Sequence, residues 1–306
     1  MAGTALFTQP AQAAAPCDSI WRDPLRGRDI PVRIRLPAGK GKAAAVLWSP
    51  GLGGNSNGGE AWASAWAAAG MAVIQLQHPG SDSAVYAGAA TPEDRARHVM
   101  AGASAAQLVQ RTTDVTFIAD ELERGPRATA CDTARIDTDR LGLAGHSMGA
   151  WTVQAIAGQR LGPGFVFADR RFRAFIAFSP NARPGSEAQF ADIGRPFLSV
   201  TGTMDGAPLS ADPARRASAL ADRIGVFKAL PADGRKALLV FGGADHMMFA
   251  GNPGRARSDA AAARVHAASA AVTTAWWQYW LLNEKAAAEP VLKKPPLAPG
   301  DDWERK

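Results

Sequence analysis

Cysteine is scarce in this chain, Cys17 and Cys131 being the only two. That excludes a disulfide-dense scaffold and any zinc site built on cysteine. The pair can form a single bridge in an oxidising compartment or stay as free thiols. No apolar run approaches the ~20 residues that a membrane-spanning helix needs. No internal repeat is visible, and no dense basic stripe or nucleic-acid motif accompanies the net charge of +6, which comes from 34 Lys+Arg against 28 Asp+Glu. The charge therefore reads as solubility with a mild preference for anionic surfaces, and nucleic acid is not expected as a partner. Glycine (31) and proline (21) are plentiful but scattered, which excludes collagen-like and low-complexity readings.

What the chain does have is a globular composition: 306 residues, 47% hydrophobic and 20% charged. Ala11-Gln12-Ala13 and Ala14-Ala15-Pro16 resemble the small-residue end of a secretory signal. No Lys or Arg precedes them and the apolar stretch at Leu6-Phe7 is short, so an ordinary terminal segment is the competing reading. The expectation taken forward is an exported protein, periplasmic or secreted, with Cys17 and Cys131 bridged; a cytoplasmic protein is the alternative. Residues 1–16 are expected as a flexible terminus or signal remnant, 17–285 as the folded domain and 286–306 as a surface tail.

Short β-like runs alternate with longer helical stretches. Ile30–Leu36 alternates and predicts a half-exposed strand. Ala43–Trp48, Met71–Leu76, Arg140–Ala144, Ala174–Phe178, Phe197–Thr201 and Ala237–Phe241 are short apolar runs of the kind that become buried parallel strands. Glu60–Ala69, Ala105–Leu122, Met148–Gly158, Pro213–Ile224 and Asp259–Leu282 read as helices, the last carrying a Trp276-Trp277-Gln278-Tyr279-Trp280 cluster suited to core packing. Such alternation implies an α/β fold with a mostly parallel sheet flanked by helices.

The strongest local signal is Gly145-His146-Ser147-Met148-Gly149, between a strand ending in Leu141-Gly142-Leu143-Ala144 and a helix opening Ala150-Trp151-Thr152-Val153. A strand–turn–helix context is what a nucleophile elbow requires. The turn strains Ser147, lifts its hydroxyl above the sheet and leaves room only for glycine two residues to either side. It also places Ser147 at a helix N-terminus, where backbone N–H groups can stabilise a developing oxyanion. The competing reading is a Gly-rich turn with a solvated serine.

A nucleophilic serine needs a base, and the base an orienting acid, in the chain order Ser, acid, His for this kind of elbow. His78 and His98 precede the serine, His146 flanks it, and His266 lies within the last helix. His246 follows the Ala237–Phe241 strand closely and is the candidate base. Asp205, in the loop after Phe197–Thr201, is the candidate acid; Asp192, Asp212 and Asp245 compete. The loop Ser49-Pro50-Gly51-Leu52-Gly53-Gly54-Asn55 after an early strand can supply the second oxyanion donor, giving Leu52 and Met148 as the amide pair. Gly51 and Gly53 let the backbone approach a ligand. No G-K-[ST] follows, so the loop is not a phosphate cradle. Trp151, Met204 and Phe249 lie near the triad members in sequence and are candidates for an apolar substrate wall. No cofactor or metal is expected.

On these residues the chain resembles the α/β-hydrolase superfamily. Within it, the chain is similar to the bacterial group called predicted dienelactone hydrolases, related to platelet-activating-factor acetylhydrolase and polyester-hydrolase-like esterases. The resemblance runs along nearly the whole chain: Trp21 to Arg28 with Ile30-Pro31-Val32, the Ser49–Gly54 loop, His78-Pro79-Gly80-Ser81-Asp82, Asp137 to Arg140 leading into Gly145–Gly149, Asp205 and His246. It implies a serine carboxylester hydrolase acting on a small-molecule or polymeric ester, without stable membrane insertion and without a large cap domain.

The departures matter. True dienelactone hydrolases use a cysteine where Ser147 stands. The platelet-activating-factor enzymes take their acid just after the strand that follows the elbow helix, where this chain has Phe178-Ser179-Pro180-Asn181 and no carboxylate. Relatives often carry His before the first Gly of the oxyanion loop, where this chain has Ser49-Pro50. The stretch from Ser179 to Arg195 is too short for a packed cap. His78 to Ser104, rich in Gly, Ala and Ser, reads equally as a flap over the site or a disordered loop. The alternatives to an esterase of short to medium acyl or aryl esters are a non-catalytic binding scaffold, or an acyltransferase, amidase or phospholipid acylhydrolase using the same triad.

Overall fold

The apolar runs of the sequence pair side by side into one nine-stranded sheet in the computed structural model, which describes residues 15–126, 131–162, 165–252 and 260–306. The strands are β1 (Cys17–Asp23), β2 (Arg28–Arg35), β3 (Ala43–Ser49), β4 (Ala72–Leu76), β5 (Ile136–His146), β6 (Phe172–Phe178), β7 (Phe197–Met204), β8 (Lys236–Asp245) and β9 (Asp302–Arg305). The helices are α1 (Glu60–Ala68), α2 (Pro92–Gly102), α3 (Ala105–Arg124), α4 (Met148–Ala157), α5 (Pro213–Ala217), α6 (Leu220–Ala229), α7 (Ala260–Trp277) and α8 (Lys285–Lys293). Strand order across the sheet is β1-β2-β4-β3-β5-β6-β7-β8-β9. The block from β4 to β8 is parallel. β1, β2 and β9 add antiparallel edges.

The two-residue period of a strand divides the core between the two faces. In β3, Ala45 and Leu47 pack with Val115 and Ile118 of α3 and Val153 and Ile156 of α4. Ala44, Val46 and Trp48 pack on the other face with Trp62 and Trp66 of α1 and Trp276 and Trp277 of α7. Every residue of β3 and β4 is buried, as a strand covered on both sides demands. β2 buries only Ile30, Val32 and Ile34, alternating with partly exposed neighbours. Each large apolar side chain enclosed in this way contributes about 1.5–3 kcal/mol. Among the described residues no helix is long and apolar enough to cross a membrane.

The seven expected strands form, but several expectations need correction. The His78–Ser104 segment is not a disordered loop, and its end reaches the site, with Ala103 in the wall of the cleft described below. It contains a short 3-10 turn at Ser83–Tyr86 and then α2, capped by Thr91 with Pro92 in its first turn. The expected helix Pro213–Ile224 is two helices. Ser218 breaks it in extended conformation, with its Oγ donating to the Thr203 carbonyl, and Ala219 N–H donates to the Asp205 carbonyl. The final helix gives way to a π-helical turn at Gln278–Leu282, and its expected first residue, Asp259, lies outside the described residues. The expected tail 286–306 is part of the fold: Ala288 and Leu292 are buried, and β9 pairs with β8. Of the expected N-terminal remnant, residues 1–14 lie outside the described residues.

Cys17 at the start of β1 and Cys131 before β5 are joined by a disulfide, with their Cα atoms 5.9 Å apart. It closes a loop with a sequence separation of 114 residues, and loop-closure entropy for that length corresponds to about 4–5 kcal/mol. Replacing both cysteines by serine should lower the urea midpoint accordingly. Alkylation of unreduced wild type should modify neither residue, and two alkylated thiols in protein from an oxidising compartment would refute the bridge.

Candidate active site

β5 runs to the middle of the sheet's C-terminal edge and turns abruptly into α4. Ser147 stands at the turn with φ 56° and ψ −115°, a conformation that few residues with a Cβ adopt. Its N–H donates to the Phe178 carbonyl at 2.9 Å, which pins the turn to β6. The flanking glycines are a steric requirement. A Cβ on Gly145 would sit 2.5 Å from the Gly149 carbonyl oxygen, and one on Gly149 would overlap the Ser49 carbonyl oxygen. The elbow and the end of β3 are therefore in direct backbone contact.

The structure brings together Ser147, His246 and Asp205. Ser147 Oγ lies 2.9 Å from His246 Nε2, and His246 Nδ1 lies 2.7 Å from Asp205 Oδ1. With Nδ1–H donating to the carboxylate, Nε2 is left to accept from the serine hydroxyl. Thr201 Oγ1 donates to Asp205 Oδ2 at 2.8 Å, and Arg223 Nε sits 3.2 Å from Oδ1. Burial pushes the Asp205 carboxyl up, but the His246 hydrogen bond and the Arg223 charge outweigh it and hold the group below the ordinary carboxylate range. Arg223 also donates to the carbonyls of Ser179, Pro180 and Gly206, so it ties the ends of β6 and β7 together behind the acid.

The competing acids are engaged elsewhere. Asp245 caps the turn that carries His246, accepting from the Met247 and Met248 amides. Asp212 caps α5, and Asp192 pairs with Arg160. His146 is buried beside His246, its Nε2 2.9 Å from the His246 carbonyl oxygen. Burial pushes its imidazole down to about 3. It is therefore neutral and donates to that carbonyl, holding the His246 backbone in place.

The loop after β3 is fixed from below by a buried polar chain. Arg111 of α3 donates to Ser49 Oγ at 3.1 Å, to Ser81 Oγ at 2.9 Å, to Thr152 Oγ1 of α4 at 3.2 Å and, closely, to the Pro50 carbonyl. Ser49 Oγ meets His78 Nε2 at 3.0 Å, His78 Nδ1 meets Asp114 Oδ2 at 2.9 Å, and Asp114 also accepts from Arg26 and Arg28. Ser49, His78 and Asp114 repeat the hydrogen-bonded connectivity of a Ser-His-Asp triad, though not the chain order expected above, yet all three are buried and line neither cavity at the site. Burial, followed by the Arg111 charge, pushes His78 down to about 4 despite Asp114. Burial works to raise Asp114, but hydrogen bonds from His78 and Arg28 win and hold it well below the usual range.

Above this chain, Leu52, Met148, Trp151, Ser147 and His246 line a cleft of about 400 Å³. Gly53 N–H donates to the Ser81 carbonyl and Gly54 N–H to the Gly51 carbonyl. The N–H groups of Leu52 and Met148 donate to nothing among the described residues. An amide in the first turn of a helix has no acceptor within it. Of the expected substrate-wall residues, Trp151 is in the cleft and Gly51 packs under it against His146 and Ser147. The others are not. Phe249 is fully buried beneath the sheet's helical layer near Phe241 and Trp62, because the turn at His246–Ala250 points it inward. Met204 is exposed at the end of β7 and Gly53 faces Tyr86, both away from the lining of this cleft. Arg223, Thr201 and the Arg111 chain went unread because no short motif marks a buried arginine on a helix.

Neither a scan of protein-family models nor a search of curated proteins finds a match to this chain.

The buried histidines make the fold acid-sensitive. Between 6.5 and about 4 the unfolded chain takes up a proton at His78 that the folded chain refuses, so stability falls as the pH drops through that window. Asp114 acts in the same direction below it: its stabilisation is full above about 4 and is lost as protonation reaches the depressed folded value. Urea midpoints measured from neutral pH down to about 4 should therefore fall steadily, with a shallower slope in His78→Gln. A midpoint independent of pH across this range would contradict the assignment.

Proposed function

We propose that this protein is a serine carboxylester hydrolase with an α/β-hydrolase type of fold. The observation that carries this reading is the unbroken hydrogen-bonded series from Ser147 Oγ through His246 to the buried Asp205, with the serine on a strained strand-to-helix turn. The placement of the three groups after β5, β7 and β8, in the order Ser, Asp, His, supports the fold-type assignment.

In this reading His246 Nε2 takes the Ser147 proton as Oγ attacks the ester carbonyl carbon. The carbonyl oxygen becomes an oxyanion that accepts from the Leu52 and Met148 amides, which cost nothing to reorient because the loop and helix already hold them. Asp205, kept ionised by the His246 hydrogen bond and the Arg223 charge, fixes the Nδ1–H tautomer and stabilises the imidazolium. The intermediate collapses as His246 protonates the departing alkoxide, leaving an acyl group on Ser147. A water molecule, deprotonated by His246, then attacks the acyl carbon, and the acid leaves as Oγ regains its proton.

Between β6 and β7 the only regular element is a 3-10 turn at Glu187–Phe190. With nothing there to form a cap, the cleft is open, which favours short to medium acyl or aryl esters and needs no interfacial opening. The bridged Cys17–Cys131 pair supports an exported protein.

A fluorophosphonate should label Ser147 alone, and Ser147→Ala should lower kcat on 4-nitrophenyl esters by roughly 10⁴-fold or more with an unchanged circular dichroism spectrum. Labelling elsewhere, or an active variant, would defeat the proposal. Asp205→Asn should cost roughly 10³–10⁴-fold and Asp245→Asn far less; the reverse ranking would reassign the acid. Rates should peak for acyl chains of about two to eight carbons without a jump at the micellar threshold, since an open cleft buries little of each added methylene.

A further inference from the structure

The cleft beside Ser147 adjoins a second cavity of about 570 Å³, and the two share Ala103, Trp151, Asn181 and Arg183 in their walls. The second cavity is lined on one side by apolar groups such as Leu108, Val109 and Phe167. On the other side stands a row of side-chain amides that satisfy one another: Gln154 Nε2 donates to Gln159 Oε1 at 3.1 Å, and Gln159 Nε2 to Gln189 Oε1 at 2.9 Å. A molecule anchored at Ser147 can thus extend past the Trp151 ring into a lobe that is partly apolar and partly lined by neutral amides, with Arg183 at its junction with the cleft.

The charge of these walls is one-sided. No Asp or Glu lines either cavity among the described residues, whereas Arg183, Arg215 and Arg223 do. Arg223 is committed to Asp205 and to backbone carbonyls, and Arg215 is paired with Asp222. Arg183, where the two cavities meet, pairs with no carboxylate among the described residues. An exposed cation commonly lacks a partner; one at the junction of two cavities whose walls carry no compensating charge sets the sign of the field there.

We propose that the substrate is an ester that also carries a carboxylate, as in the half-ester of a dicarboxylic acid: the scissile carbonyl lies at Ser147, an apolar or aryl spacer runs along Trp151, and the carboxylate is held by Arg183. The inference rests on the esterase reading. A single guanidinium presents a planar pair of donors that one carboxylate fills, and a second, more highly charged anion would find no further free cation in these walls.

The test compares kcat/KM for two matched pairs: the mono-4-nitrophenyl ester of octanedioic acid against 4-nitrophenyl octanoate, and 4-carboxyphenyl butyrate against phenyl butyrate. They place the carboxylate on the acyl and the alcohol side respectively. The charged-to-neutral ratio is measured in wild type, in Arg183→Gln, in Arg183→Lys and in Arg124→Gln, which removes an exposed positive charge paired with Glu121 on α3. In at least one pair the wild-type ratio should exceed that of Arg183→Gln by roughly five- to tenfold. It should be partly restored in Arg183→Lys, unchanged in Arg124→Gln and reduced in ~1 M salt. Equal ratios in wild type and Arg183→Gln for both pairs, or an equal fall in Arg124→Gln, overturn the carboxylate assignment while leaving Ser147-dependent hydrolysis of the neutral esters standing. Absence of any Ser147-dependent hydrolysis overturns the esterase reading and this inference with it.

Discussion

One buried guanidinium holds the floor of the cleft together. Arg111 reaches from α3 to the end of β3, to the loop after β4 and to the first turns of α4, and each contact is to oxygen. A cation taken out of water in this way is tolerable only when its donors are satisfied and a counter-charge stands near. Asp114, one turn along the same helix, supplies that charge and is itself shared with His78, Arg26 and Arg28. The arrangement is all-or-none: losing one member strands another in a dry interior. The backbone from Ser49 to Leu52 is thereby fixed against Gly149, and the candidate oxyanion amides inherit that rigidity.

The parallel core was legible because burial on both faces leaves a plain mark, a short apolar run between turn residues. The elements that escaped notice lack it. β1 buries only Trp21 and Asp23, and its other residues, the exposed Ile20 among them, form no apolar run. α2 buries little beyond Gly102, so it has no apolar stripe, although Thr91-Pro92-Glu93-Asp94 was a readable start signal. α8 and β9 lie within a Pro- and charge-rich stretch whose composition resembles a tail, and only contacts across the chain, such as Trp303 donating to the Leu292 carbonyl, reveal them as part of the fold.

The triad candidates were readable for a different reason: each sits just past a strand end, where local pattern and chain order coincide. The substrate wall was not, because nearness in sequence to a strand end says nothing about which way a side chain turns. Phe249 follows His246 by three residues, yet the 3-10 turn sends it into the core, whereas Asn181 and Arg183, on a loop with no motif, reach the cleft. Arg223 shows the same limit. Its role behind Asp205 depends on the break at Ser218 that swings α6 toward the sheet, and that break is set by contacts to Thr203 and Asp205.

The pairing of β9 with β8 has a consequence for self-association. β8 leads directly into the turn that carries His246, and without β9 its backbone from Ala237 to Val240 would be an open template for another chain. β9 occupies that template and turns Asp302, Glu304 and Arg305 outward. At the opposite margin β1 presents Asp18 and Arg22. Both borders of the sheet are thus closed to a neighbour by charge. Trimming the last few residues, or burying them in a fusion junction, would exchange a guarded border for a sticky one right beside His246, and aggregation would set in before any residue of the candidate site had been touched.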